Sequence, residues 1–164
     1  MRPRWWVFLG AVIACAASLA WAASSGPDPF PTHWNASGEG DAFSPRGTAL
    51  AINAAVAGGV AVLFGLLAKC APAIPDSLIN LPPGARAYWL TPEHRGEFDA
   101  ILERSMLLIG TGVMLLLSIT VVGTIVSSGP NTVLAVSTWV FLALVLASVA
   151  HMVWVLVRTP KRAS

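Results

Sequence analysis

TPEHRGEFDAILERSMLLIGTGVMLLLSITVVGTIV, residues 91–126, begins like a soluble helix and ends like a membrane span. Thr91, Pro92 and Glu93 supply an N-cap, a proline at the first helical position and a first-turn acid, which together start a helix. From Pro92 the pattern runs without a breaker beyond Gly96 into the span that starts at Met106. Arg95 and Asp99 stand at i, i+4, while Phe98, Ile101, Leu102 and Met106 form an apolar stripe. From Met106 onward the charges stop. The expected element is therefore a helical extension of about three turns at the membrane surface, running into a span at 1.5 Å per residue.

The composition agrees with such a span. The chain has 164 residues, 55% hydrophobic and 11% charged, with a mean hydropathy of +0.70. An average soluble domain carries about 25% charged residues, so lipid has to be the solvent for much of this surface. The net charge of +2 is too small to point to nucleic acid. Besides Met106–Val126, the segments Trp5–Ala23, Thr48–Ala68 and Val133–Val157 are apolar and almost free of charge. Each has the length of about 20 residues that a helix needs to cross a hydrocarbon core. Backbone groups in lipid must be satisfied internally, and no segment alternates as a barrel strand does, so helices are expected. The expectation is one all-α membrane domain, a four-helix bundle over 1–164, with an outer loop at 24–47 and a cytoplasmic loop at 69–105.

Lysine and arginine set the orientation. Arg2 and Arg4 precede the first span; Lys69, Arg86, Arg95 and Arg104 crowd the central loop; Arg158, Lys161 and Arg162 follow the fourth span. The first loop holds only Arg46, and Ser127–Thr132 holds no charge. The positive-inside rule then places both termini and the central loop in the cytoplasm.

The second span carries small residues at helical spacing, Ala57, Ala61 and Gly65, with Ala54 and Gly58 on a neighbouring row. Such rows let helix backbones approach closely, and a seam within the monomer or between copies would look the same. Cys15 and Cys70 read as small buried hydrophobes rather than a disulfide. In the central loop Pro72, Pro75, Pro82 and Pro83 oppose helix, and Tyr88 and Trp89 suit an interfacial aromatic belt.

Polar side chains concentrate in Pro31–Phe43, PTHWNASGEGDAF. Pro29 and Pro31 force an extended approach, and Asn35-Ala36-Ser37-Gly38 reads as a turn capped by the asparagine side chain, with Gly38 and Gly40 tolerating positive φ. On an extended segment His33 and Asn35 would share a face and Trp34 would take the other. His33, Glu39 and Asp41 are candidate metal ligands, but no compact ligand spacing accompanies them. The more ordinary outcome is a loop histidine fixed by a carboxylate or backbone hydrogen bond. There is no Gly-x-Ser-x-Gly elbow, phosphate loop or dinucleotide fingerprint, so neither catalytic residues nor a cofactor are assigned. Asn53 and His151 are polar within spans, where burial is expensive and function is a default hypothesis. Asn53 lies on the outer side, within reach of the loop.

Phe30-Pro31-Thr32-His33-Trp34-Asn35, with Gly38, Asp41, Phe43 and Arg46, resembles a bacterial membrane-domain family of unknown function. Its pattern runs Pro-x-His-aromatic-Asn-x-x-Gly-x-x-Asp. The family is distantly related to the immunity protein of the sporulation-delaying toxin (SdpI-like). Asn80-Leu81-Pro82 and Tyr88-Trp89-Leu90-Thr91-Pro92-Glu93-His94-Arg95 are similar to the cytoplasmic loop of a smaller subgroup. The resemblance implies a bacterial inner-membrane protein with His33, Trp34, Asn35, Gly38, Asp41 and Arg46 as an outer recognition loop. It likewise implies a cytoplasmic box of Tyr88, Trp89, Glu93 and Arg95.

The expected role is non-enzymatic, in sensing, immunity or as an accessory, with a peptide or envelope ligand at the outer loop. The bilayer, a second copy or a membrane-complex subunit are the other expected partners. A metal- or proton-dependent membrane enzyme or transporter around His33, Asp41 and Asn53 stays open, as does a structural subunit. The first span is expected to be retained, although MRPR, the apolar run and Ala20-Trp21-Ala22 together resemble a cleavable signal. Val12-Ile13-Ala14-Cys15 also resembles a lipoprotein box. Cleavage near Ala23 would leave three spans.

Overall fold

The computed structural model describes residues 3–126 and 132–158. The charges at Arg2, Lys161 and Arg162 and the link at 127–131 lie outside the described residues. In chain order the elements are α1 Pro3–Ser25, β1 Phe30–Trp34, β2 Gly40–Ser44, α2 Arg46–Cys70, α3 Pro83–Trp89, α4 Pro92–Val126 and α5 Thr132–Val157, with 3-10 turns at Ala71–Ala73 and Asp76–Leu78. Helices α1, α2, α4 and α5 are each long and apolar enough to cross a membrane. This is an all-α, multi-pass membrane architecture carrying one small antiparallel hairpin.

Helix α4 is the hub, packed by α1, α2 and α5. Its extension and its span form one unbroken helix of 35 residues, so the extension continues the span rather than lying as a separate surface helix. Phe8, Ala11 and Cys15 of α1, Ala57 and Ala68 of α2, and Leu107 and Met114 of α4 form the central core. Gly110 makes the closest approach possible, because a Cβ there would sit 2.8 Å from Phe64 Cβ and 2.9 Å from Phe8 Cε2. The row Ala57, Ala61, Gly65 turns inward onto this core. Ala54 and Gly58 stay exposed.

Helix α5 packs mainly on α4, with Phe141 resting against Gly112. Most of its surface is bare, Trp139 being 70% exposed. Exposed apolar area on this scale would be a liability in water and is consistent with contact to lipid.

At one end of the bundle Trp5 Nε1 donates to Glu103 Oε1 at 2.8 Å, and Arg4 donates to the Ala100 carbonyl and pairs with Glu103. Trp89 Nε1 donates to the Leu156 carbonyl at 2.8 Å. The start of α1, the 71–91 segment and the end of α5 thus share one end, and the hairpin occupies the other.

Four local expectations are corrected. A helix begins inside the proline-rich loop, because Pro83 falls in the first turn of α3, where a missing N–H costs nothing. Trp89 is 3% exposed, packed with Ile79, Ala85, Phe98 and Leu156, so it is core rather than an interfacial anchor. Both cysteines are free, but Cys70 is exposed. Thr91 also departs from ordinary capping: its hydroxyl bonds the Tyr88 carbonyl and meets His94 Nδ1 at 2.9 Å.

Gly110→Ala is expected to lower stability by about 1–3 kcal/mol through overpacking. Gly58→Ala, whose Cβ would meet nothing within 4 Å, is expected to leave it unchanged or raised. Thermal unfolding in detergent checks both.

Candidate functional site

The hairpin is mounted before it is decorated. Phe30, 1% exposed, packs on Ala22, Ala49, Leu50 and Val121, tying β1 to α1, α2 and α4. Gly26 leaves room for this ring, since a Cβ there would lie 3.2 Å from Phe30 Cε2. The Asp28 carboxylate accepts from the backbone N–H of Arg46 at 3.0 Å, capping α2 from eighteen residues upstream. The Arg46 guanidinium donates to the Gly26 carbonyl at 2.8 Å. Arg46, expected in the recognition set, is therefore a brace at the hairpin base.

The turn is built by Asn35. Its Oδ1 accepts from the backbone N–H of Ser37 at 2.9 Å and of Glu39 at 3.0 Å. Its Nδ2 donates to the Glu39 carboxylate at 3.0 Å. Gly38 takes φ 79°, a conformation that a Cβ makes unfavourable. Glu39, a candidate metal ligand by sequence, is thus engaged in the turn. Gly40 lets the strands close, because a Cβ there would sit 3.0 Å from Pro31 Cβ and 3.2 Å from Phe43 Cζ.

His33 and Asp41 stand on this frame. Nδ1 lies 2.5 Å from Asp41 Oδ1, with the side chains 69% and 46% exposed. This is the carboxylate-fixed histidine that the loop composition favoured. Strand register pairs His33 with Ala42, and pairing is irregular on both sides of His33. Such bulges re-aim side chains, so simple alternation does not set which residues share a face. Trp34, opposite Gly40, is half-buried. Among the described residues no three His, Cys, Asp or Glu side chains gather as a metal site.

Tyr88, Trp89, Glu93 and Arg95 serve the opposite end of the bundle. Arg95 donates to Asp99 Oδ1 at 2.9 Å, to the Ile74 carbonyl at 2.6 Å and to Asp76 Oδ1. Arg86 reaches the Asp76 carbonyl at 2.8 Å and the Ile79 carbonyl. Together they clamp the 74–79 turns onto α4. Tyr88 stacks on His94 with centroids 3.9 Å apart. Glu93 alone of the box points outward, exposed in the first turn of α4.

Asn53 does not reach the hairpin, since its Nδ2 donates to the Ala49 carbonyl one turn back at 2.9 Å. His151 is exposed and stacks on Trp154 at 6.1 Å. Sequence reasoning missed Asp28 as a cap and Phe30 as an anchor. A cap supplied from across a hairpin leaves no local spacing to detect.

A domain of unknown function, DUF1648, matches residues 4–56, which cover α1, the hairpin and the first turns of α2. No curated protein and no solved structure matches the chain.

Asn35→Ala removes the acceptor of two backbone N–H groups and is expected to cost about 1–2 kcal/mol of hairpin order. Gly38→Ala is expected to cost about 1 kcal/mol. Faster amide hydrogen exchange in 30–44, with α4 unchanged, is the readout.

Proposed function

We propose that the chain is a non-enzymatic recognition protein of the bacterial inner membrane, with the hairpin as its outward ligand-binding element. The observation that carries this is the contrast between a firmly mounted base and an open tip. Phe30, Asp28 and Arg46 hold the base, while His33, Asp41 and Phe43 remain exposed. An element already ordered loses little entropy on binding. An exposed histidine–carboxylate contact contributes at most about 1 kcal/mol to stability, so contact with a partner accounts better for His33 and Asp41 than fold stability does.

The ligand class that fits is a peptide or envelope component. The exposed His33–Asp41 contact and the exposed Phe43 ring, both on the hairpin, offer polar and apolar groups together. The similarity of Pro31–Asp41 to the SdpI-like pattern supports a sensing, immunity or accessory role. The match to a domain of unknown function over 4–56 includes that box. The inner box, with Glu93 exposed on α4, would face cytoplasmic or membrane partners.

Six polar groups of the spans speak for recognition over transport. Ser18, Asn53, Ser118, Thr120, Thr124 and Ser148 each donate to a carbonyl of their own helix. Side chains satisfied in this way do not line a polar path through the bilayer.

A membrane-impermeant thiol reagent on intact cells tests the orientation. Ser37→Cys is expected to label, and the exposed Cys70 only after permeabilisation; the reverse pattern would refute an outward hairpin. A photo-crosslinker at Phe43 is expected to give a discrete adduct that is lost with Asn35→Ala. Stoichiometric bound metal that disappears in His33→Ala and Asp41→Ala would instead favour the metal-dependent alternative.

A further inference from the structure

Between α4 and α5, on the side of the bundle away from α1, lies an open cleft of about 490 Å³. Its chemistry changes along its length. Ile101, Leu108, Leu144 and Met152 give it apolar walls. Arg104, Ser105, Ser148 and His151 line the same cleft. Arg104 is exposed and has no hydrogen bond or ion pair among the described residues.

The depth of these groups follows from the helices. Arg104 stands two residues before Met106, where the uncharged run of α4 begins. His151 lies seven residues before Arg158, or about 10 Å at 1.5 Å per residue. The two helices are antiparallel, so Leu108 and Leu144 mark the deep end and Glu97 and Val155 the mouth. The cation thus sits at the edge of the hydrocarbon with an apolar trough leading inward. An arginine at this level can reach up to the headgroup layer, where lipid phosphates lie.

We infer that this cleft is a binding site for one anionic phospholipid of the surrounding bilayer. The phosphate is held by Arg104 and a ring N–H of His151, and one acyl chain lies along Leu108 and Leu144. Basic pockets between spanning helices are a known form of lipid recognition. Ser148 does not serve the phosphate, since its hydroxyl already donates to the Leu144 carbonyl at 2.7 Å. Ser105 supplies a further donor.

The cleft contains one acid, Glu97. It is seven residues from Arg104, about 10 Å toward the water along the helix. There it opposes a second anion more than it opposes the phosphate at Arg104. Arg158, over the Trp154 ring at 4.5 Å, adds positive charge at the same end of α5. Positive charge at Arg104 with hydrocarbon at depth beyond it selects a lipid over a soluble anion. The inference is independent of what the hairpin binds.

Native mass spectrometry of the full chain, released from phosphatidylcholine bilayers containing a minor fraction of phosphatidylglycerol, tests it. The wild-type chain is expected to retain one phosphatidylglycerol in preference to phosphatidylcholine. Loss of a charge-assisted contact in Arg104→Gln is expected to reduce that preference about tenfold, and Arg104→Lys to keep most of it. Ala147→Trp leaves every charge in place and fills the trough, so retained lipid of both kinds is expected to fall. Equal retention of the two lipids by the wild type would overturn the inference, as would an unchanged preference in Arg104→Gln. A photo-crosslinker at Leu144 that captures a second copy of the chain instead of lipid would also overturn it.

Discussion

Phe8 of α1 and Phe64 of α2 both come to rest on the bare backbone of α4 at Gly110, and the bundle is organised around that contact. Lipid tails are as apolar as leucine, so helices in a bilayer gain little from hiding apolar surface from one another. They associate through close packing, and small residues permit it. Two residues on, Gly112 receives Phe141 of α5. At about 100° per residue the two glycines point to nearly opposite sides of α4. One helix thereby acquires two docking faces within a single turn, one for α1 and α2 and one for α5.

Beyond the hydrocarbon, arginines take over from glycines. Arg4, Arg46, Arg86 and Arg95 each donate to a main-chain carbonyl. Irregular backbone near a membrane leaves carbonyls without ladder partners, and each must be satisfied. A guanidinium carries five donors in a fixed fork and can secure two strands of chain at once. This is why Arg46 and Arg95, candidate recognition residues by sequence, also hold loops to helices. The basic residues that flank the spans also supply hydrogen bonds that shape the loops.

The hairpin separates roles that its sequence leaves mixed. Asn35 and Gly38 make the turn, while Asp28, Phe30 and Arg46 fix its base to three helices. What is left over is a small exposed surface of His33, Asp41 and Phe43. Because shape and mounting are met by other residues, that surface is free to be chosen for what it meets. The α4–α5 cleft is comparable at the opposite end, where Arg104 stands unengaged among the described residues.

The sequence by itself determined the four spans, because a hydrocarbon slab sets their length and forbids charge over it. It also determined the Thr91-Pro92 helix start, the Arg95–Asp99 pair and the Asn35 turn, all of which act over a few residues. Only the tertiary structure decided that Trp89 is core, that Asn53 bonds its own helix and that Asp28 caps α2. It also decided that Ala57 faces inward while Gly58, one residue on, stays bare. Apart from the Asn53 bond, which closes on the carbonyl one turn back, each of these depends on which element arrives from far along the chain, and local spacing carries no record of that arrival.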